Sequence, residues 1–183
     1  MTPMTTTAPG GIAVLPEHGA WTATTASPIG PLTLTARDGR LVRLTMEDQA
    51  HLVAPPGDAR RDPAALAGVI GQLEEYFDGT RTVFDVPLAL SGTPFQQEVW
   101  SALCAIPYGE AVSYGDLARQ VGRPGASRAV GQANGRNPVA VIVPCHRVVA
   151  AGGGLGGYGG GTGRKTLLLE LEQGRGGRRS GDR

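Results

Sequence analysis

The spacing of apolar residues along the chain constrains its fold more than any other sequence feature. Across residues 21–46, apolar and polar residues alternate on both sides of the turn signal Asp38-Gly39, a pattern that predicts antiparallel strands joined by hairpins. From Asp62-Pro63 onward, several segments have apolar residues at every third or fourth position, which is the period of an α-helix. We therefore expect an α+β fold, with a small N-terminal antiparallel sheet and one helix followed by a mostly α-helical region.

Composition excludes several classes of protein. The chain has 183 residues, 40% of them hydrophobic, and no apolar run approaches the roughly 18 residues of a membrane span. Its first residues lack the basic start and apolar centre of an export signal, so we expect a cytoplasmic protein without membrane association. Only Cys104 and Cys145 are present, too few for a disulfide framework, so both are expected to remain thiols. Cys104 falls within a predicted helix and is expected to be a small core residue.

Turn-rich segments divide the chain into four predicted parts. Residues 1–20, rich in Thr, Pro and Gly, are expected to form a disordered leader, and residues 21–90 an N-terminal α/β domain. Residues 91–173 are expected to form a C-terminal domain that carries the active site, followed by a disordered basic tail over residues 174–183. The net charge is −4 over residues 1–90 and +2 and +3 over the last two parts. This asymmetry permits a polyanionic partner on the C-terminal side, although taken alone it is better explained as ordinary surface charge.

Two capping boxes mark helices in the second half of the chain. Thr93, followed by Pro94 and by Gln96 three residues on, is typical of a helix start. Ser113 and Asp116 have the same spacing and predict a second, shorter helix. The sequence thus defines where two helices begin.

A helix-turn-helix is predicted because a Gly-containing turn separates this short helix from another over residues 126–134. The later helix is slim, with Arg128 as the one long side chain near its start and small residues at five positions: Ala126, Ser127, Ala129, Gly131 and Ala133. Such a helix offers little to the base edges of the major groove, but it could approach the DNA backbone in a narrower groove. Close packing within the protein is the alternative explanation for its small residues.

The apolar run over residues 139–143 predicts a buried strand that ends at Pro144-Cys145-His146-Arg147. Positive neighbours lower the pKa of a cysteine, so Cys145 is the candidate nucleophile. Because adjacent residues of a strand point in opposite directions, His146 is expected to act on Cys145 through a water molecule. The far nitrogen of the imidazole needs an acceptor, and both Glu170 and Glu172 are available downstream.

The segments 107–116, 123–138, 141–149 and 156–160 together resemble the O6-alkylguanine-DNA alkyltransferase family, over about residues 21–173. The resemblance implies a DNA repair protein that accepts an alkyl group from guanine O6 onto a cysteine once and is then spent. It also implies that the damaged nucleotide is flipped out of double-stranded DNA, approached from the minor groove, and that the protein acts as a monomer without a cofactor.

The resemblance further assigns roles to individual residues. Cys145 is the implied acceptor, His146 its base through water, and Glu172 the group that orients His146. Tyr114 would donate a proton to guanine N3, and Arg128 would fill the space left by the flipped base. The remaining implied site residues are Asn137, which would brace the turn beside the active site, the helix residues Ala126, Ser127 and Gly131 at the DNA, and Val148, Tyr158, Gly159, Gly160 and Lys165 at the base pocket.

Family members with a structural zinc bind it through N-terminal Cys and His residues. The N-terminal half of this chain has no Cys and only His18 and His51, so no metal site is expected. The location implied for such a protein is the cytoplasm, with association to the nucleoid when it is bound to DNA.

Three other interpretations compete with this one. A thiol hydrolase could use Cys145 and His146, but it would turn over repeatedly and release the thiol unmodified. A DNA-binding protein without catalytic activity would need polar base-reading side chains on its second helix. The glycines at 152, 154 and 157 match a dinucleotide-binding pattern, but neither the preceding strand nor the following helix is predicted there.

Overall fold

The computed structural model describes residues 12–51 and 53–174. Its N-terminal part contains a four-stranded sheet of order β3-β2-β1-β4, formed by β1 (Ala20–Thr25), β2 (Leu32–Arg37), β3 (Arg40–Met46) and β4 (Arg60–Arg61). The first three strands pair antiparallel as predicted. The sheet is nevertheless mixed, because β4 pairs parallel with β1. The segment between β3 and β4 carries the chain across to the far side of β1, since parallel strands need such a crossover connection.

One helix packs against this sheet. A 3₁₀ turn over Ala64–Leu66 continues into α1 (Ala67–Phe77). The carboxylate of Asp62 accepts a hydrogen bond of 2.9 Å from the Ala64 amide at the start of the turn. The buried side chains of α1 recur at helical spacing and belong to the same apolar core as the inward-facing residues of the strands. The predicted helix is therefore confirmed.

The segment before β1 departs from the expectation of a disordered leader. Ala13 and Leu15 are buried, and the Ala13 amide donates a hydrogen bond of 2.9 Å to the Asp85 carbonyl. The expectation is wrong for these residues because the segment carries apolar side chains that enter the core. Residues 1–11, and residues 175–183 of the predicted tail, lie outside the described residues.

The second half of the chain contains four helices within the described residues. They are α2 (Pro94–Cys104), α3 (Tyr114–Gln120), α4 (Ser127–Gly135) and α5 (Thr162–Glu172). Both predicted capping boxes are present, at Thr93 and at Ser113. Helices α3 and α4 pack against each other as a helix-turn-helix and also contact α2. No helix in the described part of the chain is long and apolar enough to cross a membrane.

The apolar run over residues 139–143 is buried but is not the predicted strand. Val141 has a φ of 69°, and hydrogen bonds from Ile142 to Ala140 and from Val143 to Val139 fold the run into consecutive turns. The Ala140 amide donates a hydrogen bond to the Leu44 carbonyl of β3, and the Leu44 amide donates to the carbonyl of Pro138, just before the run. The apolar composition thus indicated burial, while the turns and Leu44 satisfy the backbone groups that a sheet would have satisfied.

The residues after these turns also depart from an extended conformation. Cys145–Arg147 form a 3₁₀ turn, followed by the two-residue strand β6 (Val148–Val149). Strand β6 pairs parallel with β5 (Val112–Ser113), which leads directly into α3. This pairing ties the cysteine segment to the start of the helix-turn-helix.

Candidate active site

Cys145 lies in the wall of a cavity of about 260 Å³ between the two halves of the chain. The end of β3 and the turn after it contribute Met46, Gln49, Ala50 and His51 to the cavity wall. The helix-turn-helix and the turns before Cys145 contribute Tyr114, Gly131, Asn134, Gly135, Asn137 and Ala140. The loop after β6 contributes Gly157, Tyr158, Gly159 and Gly160. A single thiol therefore faces a pocket of mixed apolar and polar character.

The sequence predicted that the positive neighbours of Cys145 would lower its pKa, but its surroundings in the structure raise it. Burial raises the pKa of the thiol, although the polar side chains of Asn137 and Tyr158 and the charge of Lys165 act in the opposite direction. His146 and Arg147 do not lower this pKa as predicted, because both side chains are directed to Glu172. The resting thiol is therefore protonated and needs a base to become reactive.

The His146 imidazole is fully buried and is bonded to Glu172. Its Nε2 lies 2.8 Å from Oε1 of Glu172, and both side chains are inaccessible to solvent. Burial lowers the pKa of His146, and the nearby Glu172 carboxylate offsets part of this effect. Burial would raise the pKa of Glu172, but hydrogen bonds and charge from His146 and Arg147 reduce it to about 2.

This electrostatic arrangement defines the tautomer of His146. An ionised carboxylate only accepts hydrogen bonds, so Nε2 of the neutral ring carries the proton that is donated to Glu172. The other ring nitrogen, Nδ1, then has a free lone pair, and it has no hydrogen-bond partner within the described residues. His146 can therefore accept a proton only at Nδ1.

Glu170 and Glu172, the two candidate acceptors for the His146 ring, lie on different sides of α5. Glu172 is buried against His146, whereas Glu170 is exposed on another side of α5. The Glu172 carboxylate is also bonded to Arg147, from Nε to Oε2 at 2.8 Å and from a terminal nitrogen to Oε1 at 2.9 Å. The Gly109 amide donates to Oε2 at 3.1 Å. This carboxylate joins groups from distant parts of the sequence.

Asn137 and Asn134 hold the backbone on either side of the thiol. Asn137 donates a hydrogen bond of 2.7 Å to the Val143 carbonyl and accepts one of 3.0 Å from the Val139 amide. Asn134 of α4 donates to the carbonyl of Cys145 at 3.2 Å. Sequence reasoning missed Asn134, because its contact depends on how α4 packs against the turns.

Lys165 is buried behind the loop that borders the cavity. Its ammonium group donates to the carbonyls of Val148 at 2.5 Å and Gly157 at 3.3 Å, and also to the carbonyl of Leu155. Burial lowers the pKa of Lys165, and Cys145 acts in the opposite direction. Neither Lys165 nor Val148 borders the cavity, whereas the predicted pocket residues Tyr158, Gly159 and Gly160 do.

Tyr114 borders the cavity at the first position of α3. Its hydroxyl donates a hydrogen bond of 3.2 Å to the Gly157 carbonyl, and burial together with Cys145 raises its pKa. A Cβ atom at Gly156 would lie 2.9 Å from the Tyr114 ring, at a φ of 68° that side chains rarely adopt. Glycine at 156 therefore allows the loop to approach the tyrosine closely.

The predicted DNA-contacting residues lie at the start of α4. Arg128 is exposed and makes no hydrogen bond in the described part of the chain. Gly131, three residues further on and so on the same side of the helix, borders the cavity. Ala126 and Ser127 are half-buried at the helix start. The exposed arginine and the cavity wall thus belong to one side of α4.

The N-terminal wall of the cavity was not predicted from the sequence. A Cβ atom at Gly160 would lie 2.5 Å from the terminal methyl of Met46, so glycine at this position lets the methionine close the pocket. The Ala50 amide donates a hydrogen bond of 2.8 Å to the Gly159 carbonyl. These contacts join segments more than a hundred residues apart, and no local pattern in the sequence announces them.

Cys104 lies apart from this site. It borders a second cavity of about 470 Å³, formed mainly by residues 82–88, 104–108 and 142–147. Burial raises the pKa of Cys104 to about 11, although the charge of Arg147 acts in the opposite direction. Among the described residues, no group of three or more His, Cys, Asp or Glu side chains could hold a metal ion.

Comparison with known proteins identifies the class to which this fold and site belong. A family model described as the ribonuclease-like domain of 6-O-methylguanine DNA methyltransferase matches residues 21–90, and one described as the DNA binding domain matches residues 94–174. The chain belongs to the 6-O-methylguanine DNA methyltransferase family. The predicted enzyme class, methylated-DNA–protein-cysteine methyltransferase, is thereby confirmed.

Individual relatives agree with this assignment. A methylated-DNA–protein-cysteine methyltransferase of Mycobacterium tuberculosis is 56% identical over 151 residues, which cover 81% of this chain and 90% of the relative. The crystal structure of Mycobacterium tuberculosis OGT in complex with DNA has a TM-score of 0.79 and 55% identity, covering 84% of this chain and 93% of that chain. An O6-methylguanine-DNA methyltransferase from Pyrococcus kodakaraensis is more distant, with 26% identity, a TM-score of 0.58 and coverage of 82% and 98%.

Proposed function

We propose that this chain repairs double-stranded DNA by moving the alkyl group of O6-alkylguanine onto Sγ of Cys145, once per molecule. The observation that carries the proposal is the buried thiol of Cys145 in the wall of a cavity of about 260 Å³, beside a histidine whose Nδ1 is free. A buried thiol with a raised pKa is protected from chance oxidation and becomes a nucleophile only when a base is available.

The transfer follows from the groups around the thiol. The Cys145 proton passes through a water molecule to Nδ1 of His146, and the Glu172 carboxylate stabilises the imidazolium that forms. The thiolate attacks the alkyl carbon as the bond from that carbon to guanine O6 breaks, and the electron pair passes to the guanine. The Tyr114 hydroxyl supplies a proton to guanine N3 and so neutralises the leaving group. The thioether that results has no route back to a thiol, which limits the protein to one turnover.

Access to the guanine requires extrusion of the nucleotide, because O6 lies within the base stack. The slim helix α4 fits a minor groove, where Ala126, Ser127 and Gly131 allow close approach to the DNA backbone without reading sequence. Arg128 is exposed and free of partners within the described residues, and it fills the space that the flipped base leaves. The Mycobacterium tuberculosis relative crystallised in complex with DNA supports DNA as the partner.

The pocket loop completes the site. Tyr158, Gly159 and Gly160 cover the extruded base, Lys165 supports the loop from behind, and Asn137 braces the turn before the thiol. Val148 does not border the cavity and contributes instead through its carbonyl, which accepts a hydrogen bond from Lys165 behind the loop. We further propose that the protein acts as a monomer in the cytoplasm, and at the nucleoid when bound to DNA.

Peptide mapping after incubation with duplex DNA containing O6-methylguanine tests this proposal. We expect one methyl group per chain, attached to Cys145, with Cys104→Ser as a control that reacts normally and Cys145→Ser as one that does not react. Repeated turnover with an unmodified thiol would instead indicate a hydrolase. DNA binding without any transfer would indicate a protein that only recognises the damage.

A further inference from the structure

A tyrosine of the N-terminal helix reaches the carboxylate at the active site. The hydroxyl of Tyr76, in the last turn of α1, donates a hydrogen bond of 2.7 Å to Oε1 of Glu172. Tyr76 is completely buried, and the two residues are 96 positions apart in the sequence. The contact therefore joins the N-terminal half of the chain to the group that is bonded to His146.

Tyr76 donates its hydrogen bond to the same Glu172 oxygen, Oε1, that is bonded to the His146 imidazole. Oε1 of Glu172 accepts from Tyr76, from Nε2 of His146 and from Arg147, while Oε2 accepts from Arg147 and from the Gly109 amide. Three donors thus share the negative charge of one oxygen atom. When one of these donors is removed, the oxygen interacts more strongly with the two that remain.

We infer that Tyr76 is a positioning residue for alkyl transfer: its hydroxyl shares the Glu172 carboxylate and so keeps His146 neutral, with Nδ1 free to take the proton of Cys145. The inference rests on the proposed function, because it assigns Tyr76 a part in preparing the base of that reaction. Tyr76 touches neither the thiol nor the cavity, and it acts through Glu172 alone.

The charges around His146 determine the direction of the expected effect. Glu172 favours the imidazolium, whereas Arg147 and Lys165 oppose it, as does burial of the ring. The Tyr76 hydroxyl is a donor whose own pKa is raised by burial and by Glu172, so it remains protonated. Its removal strengthens the hold of Glu172 on His146 and raises the pKa of His146.

The variant Tyr76→Phe tests this inference, with Tyr108→Phe as a matched control. The Tyr108 ring packs edge-on against Tyr76 at 6.0 Å and lies 5.8 Å from the Arg147 guanidinium, and its hydroxyl makes no hydrogen bond to Glu172 within the described residues. Two measurements are made on the full chain: NMR titration of the His146 ring before any alkylation, and the rate of reaction with O6-benzylguanine from pH 5 to pH 9.

We expect Tyr76→Phe to move the His146 titration and the acid limb of the rate profile to higher pH together. A shift of half a unit to one unit corresponds to about a three- to tenfold slower reaction at acid pH, with the rate at high pH little changed. Tyr108→Phe should shift neither. A Tyr76→Phe protein that is less stable but has an unchanged His146 titration would overturn the inference, whereas an unreactive Cys145 in the unaltered chain would overturn the proposed function instead.

Discussion

Asn137 donates a hydrogen bond of 2.7 Å to the carbonyl of Val143, two residues before the candidate nucleophile. The same amide group accepts from the Val139 backbone, so one side chain closes both ends of the turns that deliver Cys145. A backbone segment with no strand partner over most of its length is thereby held at both ends by one buried amide, in addition to its hydrogen bonds with Leu44.

Replacement of this amide should therefore loosen the reactive segment. Asn137→Ala leaves the buried Val139 amide without its partner, at a cost of about 1–3 kcal/mol, and removes one of the two donors to the Val143 carbonyl. It also removes a group that favours the thiolate. We expect a lower denaturation midpoint and slower reaction of Cys145 with O6-benzylguanine. Gln132→Ala, which changes an exposed amide in α4, should alter neither quantity. Equal stability of the Asn137→Ala and unaltered proteins would show that the turns hold without it.

Arg128 should matter only when the substrate is part of a duplex. The exposed Arg128 side chain has no structural partner within the described residues, so Arg128→Ala should leave the melting temperature unchanged. We expect repair of O6-methylguanine in duplex DNA to slow far more than reaction with free O6-benzylguanine, which needs no base extrusion. The measurement is the pair of second-order rates, and equal losses on both substrates would exclude a role in filling the stack.

The two glutamates of α5 provide a matched pair of variants. Glu172→Gln removes the charge that stabilises the His146 imidazolium and leaves Arg147 buried without its counter-ion, at a cost on the order of 3 kcal/mol in stability. We expect slower alkylation of Cys145 by O6-benzylguanine and a higher apparent pKa for the thiol. Glu170→Gln, on the exposed side of the helix, should change neither. A shift in the pH profile for Glu170→Gln alone would contradict the assignment of the active-site carboxylate.

The depressed pKa of Glu172 also predicts how stability depends on pH. A carboxylate whose pKa falls from 4.5 to about 2 on folding stabilises the fold fully above pH 4.5, and this contribution is lost as the pH falls to about 2. It amounts to roughly 3 kcal/mol. Burial lowers the pKa of His146, so that residue causes an earlier loss that begins near pH 6.5. Urea unfolding from pH 7 to pH 2 should therefore show the lower step in the unaltered chain and not in Glu172→Gln.

The parts of the fold that the sequence predicted are those encoded by neighbouring residues. The Asp38-Gly39 hairpin and the capping boxes at Thr93 and Ser113 each depend on a few consecutive positions, and all three form as expected. The run over residues 139–143 was misjudged because apolar composition reports burial and not backbone conformation. Its turns depend on Asn137 and on Leu44, which no local pattern connects to it.

In the candidate site, too, the predicted residues are those marked by a local sequence pattern. Cys145 and His146 stand out in the sequence because nucleophile and base are adjacent. The cavity wall from Met46 to His51, the amide of Asn134 and the hydroxyl of Tyr76 were not predicted. Each of these groups reaches the site through packing of one half of the chain against the other, and such contacts leave no periodic signal.

The Glu172 carboxylate accepts hydrogen bonds from residues 76, 109, 146 and 147. The tautomer of His146 thus requires the cysteine segment to dock against α5, and α1 and the turn before α3 add further donors to the same carboxylate. A partly folded chain has a cysteine but lacks the prepared base that would activate it. For a protein proposed to react a single time, this dependence ties the reactivity of the cysteine to the completion of folding.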